Sequence, residues 1–154
     1  MSQEDKAHIN LAGEFLVAGE LNRRRVAASI TYGASKSADI FAFCRAKKRF
    51  ARIEVKATDK KRWPVGARAL ADASEGDGVF WVLVQLPEQD SSPEYFVFSG
   101  RELVALTRKL HGAYLERYKT KHGLAFEGIG VPALDLRDVA DFRGKWKTIT
   151  EYLK

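Results

Sequence analysis

Apolar and polar residues along this chain change their period several times, and each change marks an element. Between residues 7 and 24, Leu11, Val17, Ala18 and Leu21 recur at helical spacing, with Phe15 at the border of the stripe. A first helix is predicted there. Glu14 falls in the middle of its apolar side, where an unpaired carboxylate is expensive. Glu20 projects roughly opposite and is expected in solvent. Val26 to Tyr32 is a short β-type run, followed by a turn-forming loop over residues 33–37. Ala38 to Cys44 and Arg52 to Thr58 are two further runs separated by a short basic connector, the mark of an antiparallel hairpin. Trp63-Pro64-Val65-Gly66 breaks the pattern, and Arg68 to Asp72 reads as a short helix or a loop lid. Gly78 to Leu86 is continuously apolar, as in a central strand covered on both faces. Tyr95 to Phe98 is another strand, beyond a polar loop. Arg101 to Tyr118 is a second helix with Leu103, Leu106, Leu110 and Ala113 inward. Lys119 to Pro132 is loop-like. Asp138 to Leu153 is a closing helix with a break at Gly144 and with Trp146, Ile149 and Leu153 inward. This order predicts an α/β (or α+β) fold, a mixed central sheet flanked by helices. With no repeat, biased tract or linker, residues 1–154 read as a single domain.

Strand parity decides what can meet. Asp39, Phe41 and Phe43 share one face of their strand; Arg52, Glu54, Lys56 and Thr58 share one face of theirs. A turn centred on Ala46-Lys47 pairs Asp39 with Glu54. A four-residue loop sets Asp39 opposite Lys56, and a three-residue bulged loop shifts parity at the bulge. In the first two registers the acids and the lysine become cross-strand neighbours within reach of one ion.

The balance of residues narrows the setting. A chain of 154 residues, 45% hydrophobic and 30% charged, suits a domain with a real core. No run approaches 18 apolar residues, so no membrane span is expected. The polar start, Met1 to Lys6, does not read as a secretory signal. Cys44, the single cysteine, cannot form an internal disulfide and reads as a small core residue. These features point to the cytoplasm. A net charge of +6 and a pI near 9.5 favour a polyanionic partner. Basic residues gather at Arg23-Arg24-Arg25, at Arg45 with Lys47, Lys48 and Arg49, and at Lys60, Lys61 and Arg62. Each cluster alone fits a solvated turn. Their shared position beside the acidic segments fits a phosphate-tracking surface, with Lys47, Lys48, Arg49, Lys60, Lys61 and Arg62 as the expected nucleic-acid contacts.

The chemistry permitted by these residues is phosphodiester hydrolysis. It needs a nucleophilic water, neutralisation of the phosphate and help for the leaving oxygen, all of which a divalent ion can supply. Asp39 and Glu54 offer the hard oxygens that Mg²⁺ prefers, and Mg²⁺ keeps several waters, so few protein ligands suffice. The Val55 carbonyl, between Glu54 and Lys56, is a further candidate ligand. Lys56 can orient the attacking water or offset transition-state charge, and Glu14 can complete the shell or act through water. A Glu-x-Lys triplet alone says little: 11 Glu and 13 Lys in 154 residues produce about one by chance. The apolar flanks Ile53, Val55 and Ala57, and the partner strand bearing Asp39, give it weight. His8, His111 and His122 lack paired metal spacing and read as surface or structural. Ser35 and Ser37 lack a nucleophile elbow, and no P-loop is present. Trp63 can stack on a base or cap the core; Trp81 and Trp146 read as core.

The segments Gly13-Glu14-Phe15-Leu16-Val17-Ala18, Ala38-Asp39-Ile40-Phe41 and Ile53-Glu54-Val55-Lys56 together resemble the PD-(D/E)XK nuclease superfamily, in particular its small stand-alone members. Ala38 stands where the motif's proline often does. The resemblance implies a restriction-endonuclease-like fold and a Mg²⁺ site in which Mn²⁺ can substitute. It makes Asp39 and Glu54 metal-binding acids, Lys56 the catalytic lysine and Glu14 the helix-borne acid of some branches. DNA is the implied substrate, ahead of RNA, and a homodimer is an assembly the resemblance admits. The competing expectation is a nuclease-like scaffold without activity that binds nucleic acid or protein.

Overall fold

The computed structural model describes residues 1–32 and 37–154. Most of the expected 33–37 loop, including Ser35, lies outside the described residues.

Helix α1 spans Gln3–Arg23, starting four residues before the expected residue 7. A capping box explains the early start: the Asp5 N–H donates to the Ser2 hydroxyl at 3.0 Å and the Ser2 N–H to the Asp5 carboxylate at 2.9 Å. Val17, Ala18 and Leu21 are buried as their spacing requires, but Leu11 is 42% exposed. Gly13 and Glu14 take the inner positions in its place. Glu20 corrects another expectation. It pairs with Arg23 at 3.1 Å and with Arg24, and its side chain is only 21% exposed.

Strands β1 (Ala27–Ile30), β2 (Ile40–Cys44), β3 (Arg49–Thr58), β5 (Val79–Gln85) and β6 (Glu94–Ser99) form one sheet in the order β1-β2-β3-β5-β6. β3 and β5 are parallel and the other neighbours antiparallel, so the sheet is mixed. The continuously apolar strand β5 is covered on both faces, as its composition requires, but β3 holds the middle of the sheet. On one face Ile53, Val55, Val82 and Val84 pack with α1 and with α4 (Lys147–Leu153). On the other, Trp81, Leu83, Phe96 and Phe98 pack with α2 (Gly100–His122).

The β3-to-β5 crossover contains β4 (Arg62–Pro64), which pairs with β7 (Ala133–Asp135) in a second, two-stranded sheet. The Trp63 break is therefore a strand. Its indole N–H donates to the Val84 carbonyl at 3.0 Å from a fully buried position, so Trp63 is core and not a base-stacking surface. Two 3₁₀ turns follow, Ala67–Leu70 and Asp72–Glu75, where a short helix or lid was expected. The closing segment is divided into α3 (Leu136–Val139), a 3₁₀ turn and α4. Gly144 breaks it with φ +64°, and its N–H donates to the Tyr95 carbonyl at 2.8 Å, docking the break onto β6. Trp81 and Trp146 are buried as expected. No helix among the described residues is long and apolar enough to cross a membrane.

Candidate active site

The β2–β3 hairpin sets the geometry. Its pairs run from Ile40↔Ile53 to Cys44↔Arg49, the register of a turn centred on Ala46-Lys47, which places Asp39 across from Glu54. There the strands part: β2 begins at Ile40 while the middle strand continues to Thr58. The last main-chain contact is the Asp39 N–H to the Ile53 carbonyl, at 3.1 Å. The next donor on that edge of β3 is the Val55 N–H, which has lost its strand neighbour. Asp39 replaces it, accepting this N–H on Oδ2 at 2.8 Å and satisfying a buried donor. A strand residue's N–H and C=O project to the same side, so the Val55 carbonyl opens towards the same gap.

Glu54 and Lys56 lie on the face that bears α2. The Lys56 ammonium is 3.3 Å from Glu54 Oε1. The second partner is Arg68, on the first 3₁₀ turn, whose Nη1 stands 3.2 Å from Oε1 and 3.1 Å from Oε2. Glu54 is 9% exposed at its side chain, so a nearly buried carboxylate is faced by two cations. Arg68 escaped the sequence reading because a residue in a non-periodic crossover carries no local signal of where it points. Arg52, on the same face as Glu54, lines a cleft of about 140 Å³ with Glu54, Arg68 and Trp81.

Glu14 comes to β3 from α1. The close approach is made by Gly13, where a Cβ would stand 2.6 Å from the Ala57 Cβ and 3.5 Å from Val55 Cγ1. Glu14, the next residue, is buried beside that contact.

The six basic residues divide into two groups. Lys60 and Arg62 join Lys56 and Lys6 around a groove of about 460 Å³ at the C-terminal end of β3. Lys61 is exposed in the same turn. Arg62 also pairs with Asp135 at 2.9 Å. Lys47 and Lys48 are exposed in the hairpin turn at the opposite end of β3, and Arg49 donates to the Tyr152 carbonyl at 3.0 Å. The Arg23-Arg24-Arg25 cluster is partly structural: Arg24 pairs with Glu20 and lies 4.6 Å from the Trp146 ring centroid. Thr58 is buried and accepts the Lys60 N–H at 3.1 Å. Of the histidines, His111 contacts the Ile129 carbonyl at 2.6 Å, His122 packs on Tyr118 and His8 stands 4.0 Å from Glu4.

Among the described residues, no group of three or more His, Cys, Asp and Glu is gathered to hold one metal ion. The candidate donor set is thus two carboxylates, Asp39 and Glu54, with one main-chain carbonyl, Val55. All are hard oxygens. Such a set fits Mg²⁺ or Mn²⁺, which keep much of their water.

No protein-family model matches the chain, and no curated protein matches it. Among solved structures, Hjc, a Holliday junction resolvase from the archaeal hyperthermophile Archaeoglobus fulgidus, aligns with a TM-score of 0.54 over 92% of this chain and 95% of that one, at 14% identity. The mixed five-stranded sheet with its flanking helices matches the fold of that structure, and the chain has the restriction-endonuclease-like fold that its motif residues led us to expect.

Proposed function

We propose that the chain is a divalent-cation-dependent endonuclease that hydrolyses phosphodiester bonds in DNA. The observation that carries this reading is the Asp39–Val55 hydrogen bond, which ties one acid to the backbone between Glu54 and Lys56. A bound Mg²⁺ or Mn²⁺ would supply Lewis-acid charge and a water of lowered pKa. Asp39, Glu54 and the Val55 carbonyl would hold it. Lys56, 3.3 Å from Glu54, orients the water and offsets negative charge on the phosphate. Glu14 supports the site from α1. Lys60, Lys61 and Arg62 carry the adjoining backbone of the nucleic acid, and Lys47, Lys48 and Arg49 meet it further along. A homodimer is the assembly that cutting both strands calls for.

The second reading, a binding module without activity, is favoured by one observation: Glu54 is already neutralised by Lys56 and Arg68. One experiment separates them. Plasmid, linear duplex, four-way-junction and matched RNA substrates are incubated with Mg²⁺ or Mn²⁺. The junction is included because the fold is shared with a Holliday junction resolvase. The expected result is metal-dependent cutting of DNA that falls about a hundredfold or more in Glu54→Gln and in Lys56→Gln. Binding that survives both substitutions, with no substrate cut by the wild type, establishes the module instead.

A further inference from the structure

Arg68 is presented by a strap that is firmly fixed, while its own side chain is more than half exposed. The strap leaves β4 through Gly66, whose φ of +77° permits the turn, and runs through both 3₁₀ turns to Glu75. The Ser74 hydroxyl donates to the Arg68 carbonyl at 2.7 Å. Arg108 of α2 donates to the Leu70 carbonyl at 2.9 Å and pairs with Asp72 at 2.7 Å and Glu75 at 2.9 Å. The backbone of Arg68 is therefore anchored to α2. Its side chain is 59% exposed and spans from Glu54 to the Ser37 carbonyl, 3.2 Å from Nη2.

Beneath the strap is the small cleft with Arg52, Arg68 and Trp81 in its walls. Trp81 is paired with Glu54 across β3 and β5 and is 1% exposed. Its indole N–H finds no acceptor among the described residues. A buried donor without a partner marks a place where an acceptor is missing. Two guanidiniums share this cleft with the Glu54 carboxylate, so it becomes a donor set for an anion once a cation holds Glu54, and the flat guanidinium fork matches a phosphate well.

A guanidinium and a divalent cation repel one another when both crowd the same carboxylate. Glu54 is nearly buried and needs a counter-charge, while the Arg68 end of the pair is open to solvent, so a cation can take over the carboxylate as the guanidinium moves outward. We propose that Arg68 is the exchangeable counter-ion of this site. It neutralises Glu54 in the metal-free chain, yields Glu54 to the divalent cation, and turns to a phosphate of the nucleic-acid backbone at the cleft beneath the strap. The inference rests on the nuclease reading and adds to it a phosphate-contacting residue and an order of events.

The test measures binding, not turnover. Mn²⁺ is titrated into wild type, Arg68→Gln, Arg68→Lys and Glu54→Gln, with free Mn²⁺ followed by electron paramagnetic resonance and folding checked by thermal melting. Arg68→Gln is expected to bind Mn²⁺ about tenfold more tightly than the wild type, Arg68→Lys to fall between, and Glu54→Gln to lose binding. In parallel, duplex binding is measured with Ca²⁺ in place of Mg²⁺. Arg68→Gln should bind several-fold more weakly, with a salt slope lower by about one. Equal or weaker Mn²⁺ affinity in Arg68→Gln overturns the exchange and leaves the nuclease reading standing. Unchanged duplex affinity overturns the phosphate contact. Absence of Mn²⁺ binding in both wild type and Arg68→Gln removes the nuclease reading and the exchange together.

Discussion

Glu14 and Glu20 sit six residues apart on one helix and have different surroundings. Burial pushes the Glu20 carboxyl up, but hydrogen bonds and charge from Arg24 and Arg23 outweigh it and hold the group below the usual glutamate range. A carboxyl whose folded-state pKa is depressed contributes stability at pH values above its unfolded pKa, and that contribution is lost as pH falls through the folded value. Unfolding of wild type and Glu20→Gln across the acid range should therefore show the wild type ahead near neutrality and the difference closing as the medium is acidified. A constant difference would mean that the pair contributes by shape and not by charge. At this scale, legibility depended on whether a residue broke a local pattern. Glu14 did so, by interrupting an apolar stripe. Asp39, Glu54 and Lys56 shared a face by simple parity. Arg68 broke nothing, since its neighbours in the crossover have no period, and its partner on β3 is specified only by the tertiary path of the strap.

The strap is the element on which the site most depends, and Gly100 is where it is most vulnerable. A Cβ at Gly100 would lie 1.7 Å from the Ser74 carbonyl oxygen, a backbone atom that cannot yield without moving the strap. Gly112, further along the same helix, has nothing within 4 Å of a Cβ. Gly100→Ala should destabilise the chain by about 2 kcal/mol or more, while Gly112→Ala should stabilise it by about 1 kcal/mol through helix propensity. Chemical denaturation of the two variants checks the contrast; equal effects would show that α2 and the strap are not in the contact described. Elements with several residues of period were legible: α1, the β2–β3 hairpin, β5 and α2; the hairpin's register was not, since three loop lengths fitted the same connector and the pairing Ile40↔Ile53 selects the first. The paired strands β4 and β7 were not. Each has three residues, too few to show alternation, and their pairing joins segments from opposite halves of the chain.

Across the whole molecule, the charge is organised along β3. The Lys47–Arg49 cluster lies at the start of this strand and the Lys60–Arg62 cluster follows its end, roughly 35 Å apart at the rise of an extended chain. That distance corresponds to about ten base pairs of duplex. The salt dependence of binding should therefore steepen as a duplex is lengthened past about ten base pairs, and the increment should disappear in a Lys47→Gln, Lys48→Gln variant. A slope independent of length would confine the nucleic acid to the groove beside Lys56. The general layout was readable from the order of elements alone, because long periodic segments must cover a continuously apolar strand on both faces. The separation of the basic clusters was not readable, because neighbours in sequence around a ten-residue strand end up at its two ends.

Where β2 turns away, a side chain completes the ladder that the backbone leaves open. The Val55 amide proton is thus shared with Asp39, a carboxylate proposed to ligate the metal. Any change in the electron density of that carboxylate is transmitted to a single peptide nitrogen, which makes this one resonance an intrinsic spectroscopic gauge of the ion's arrival.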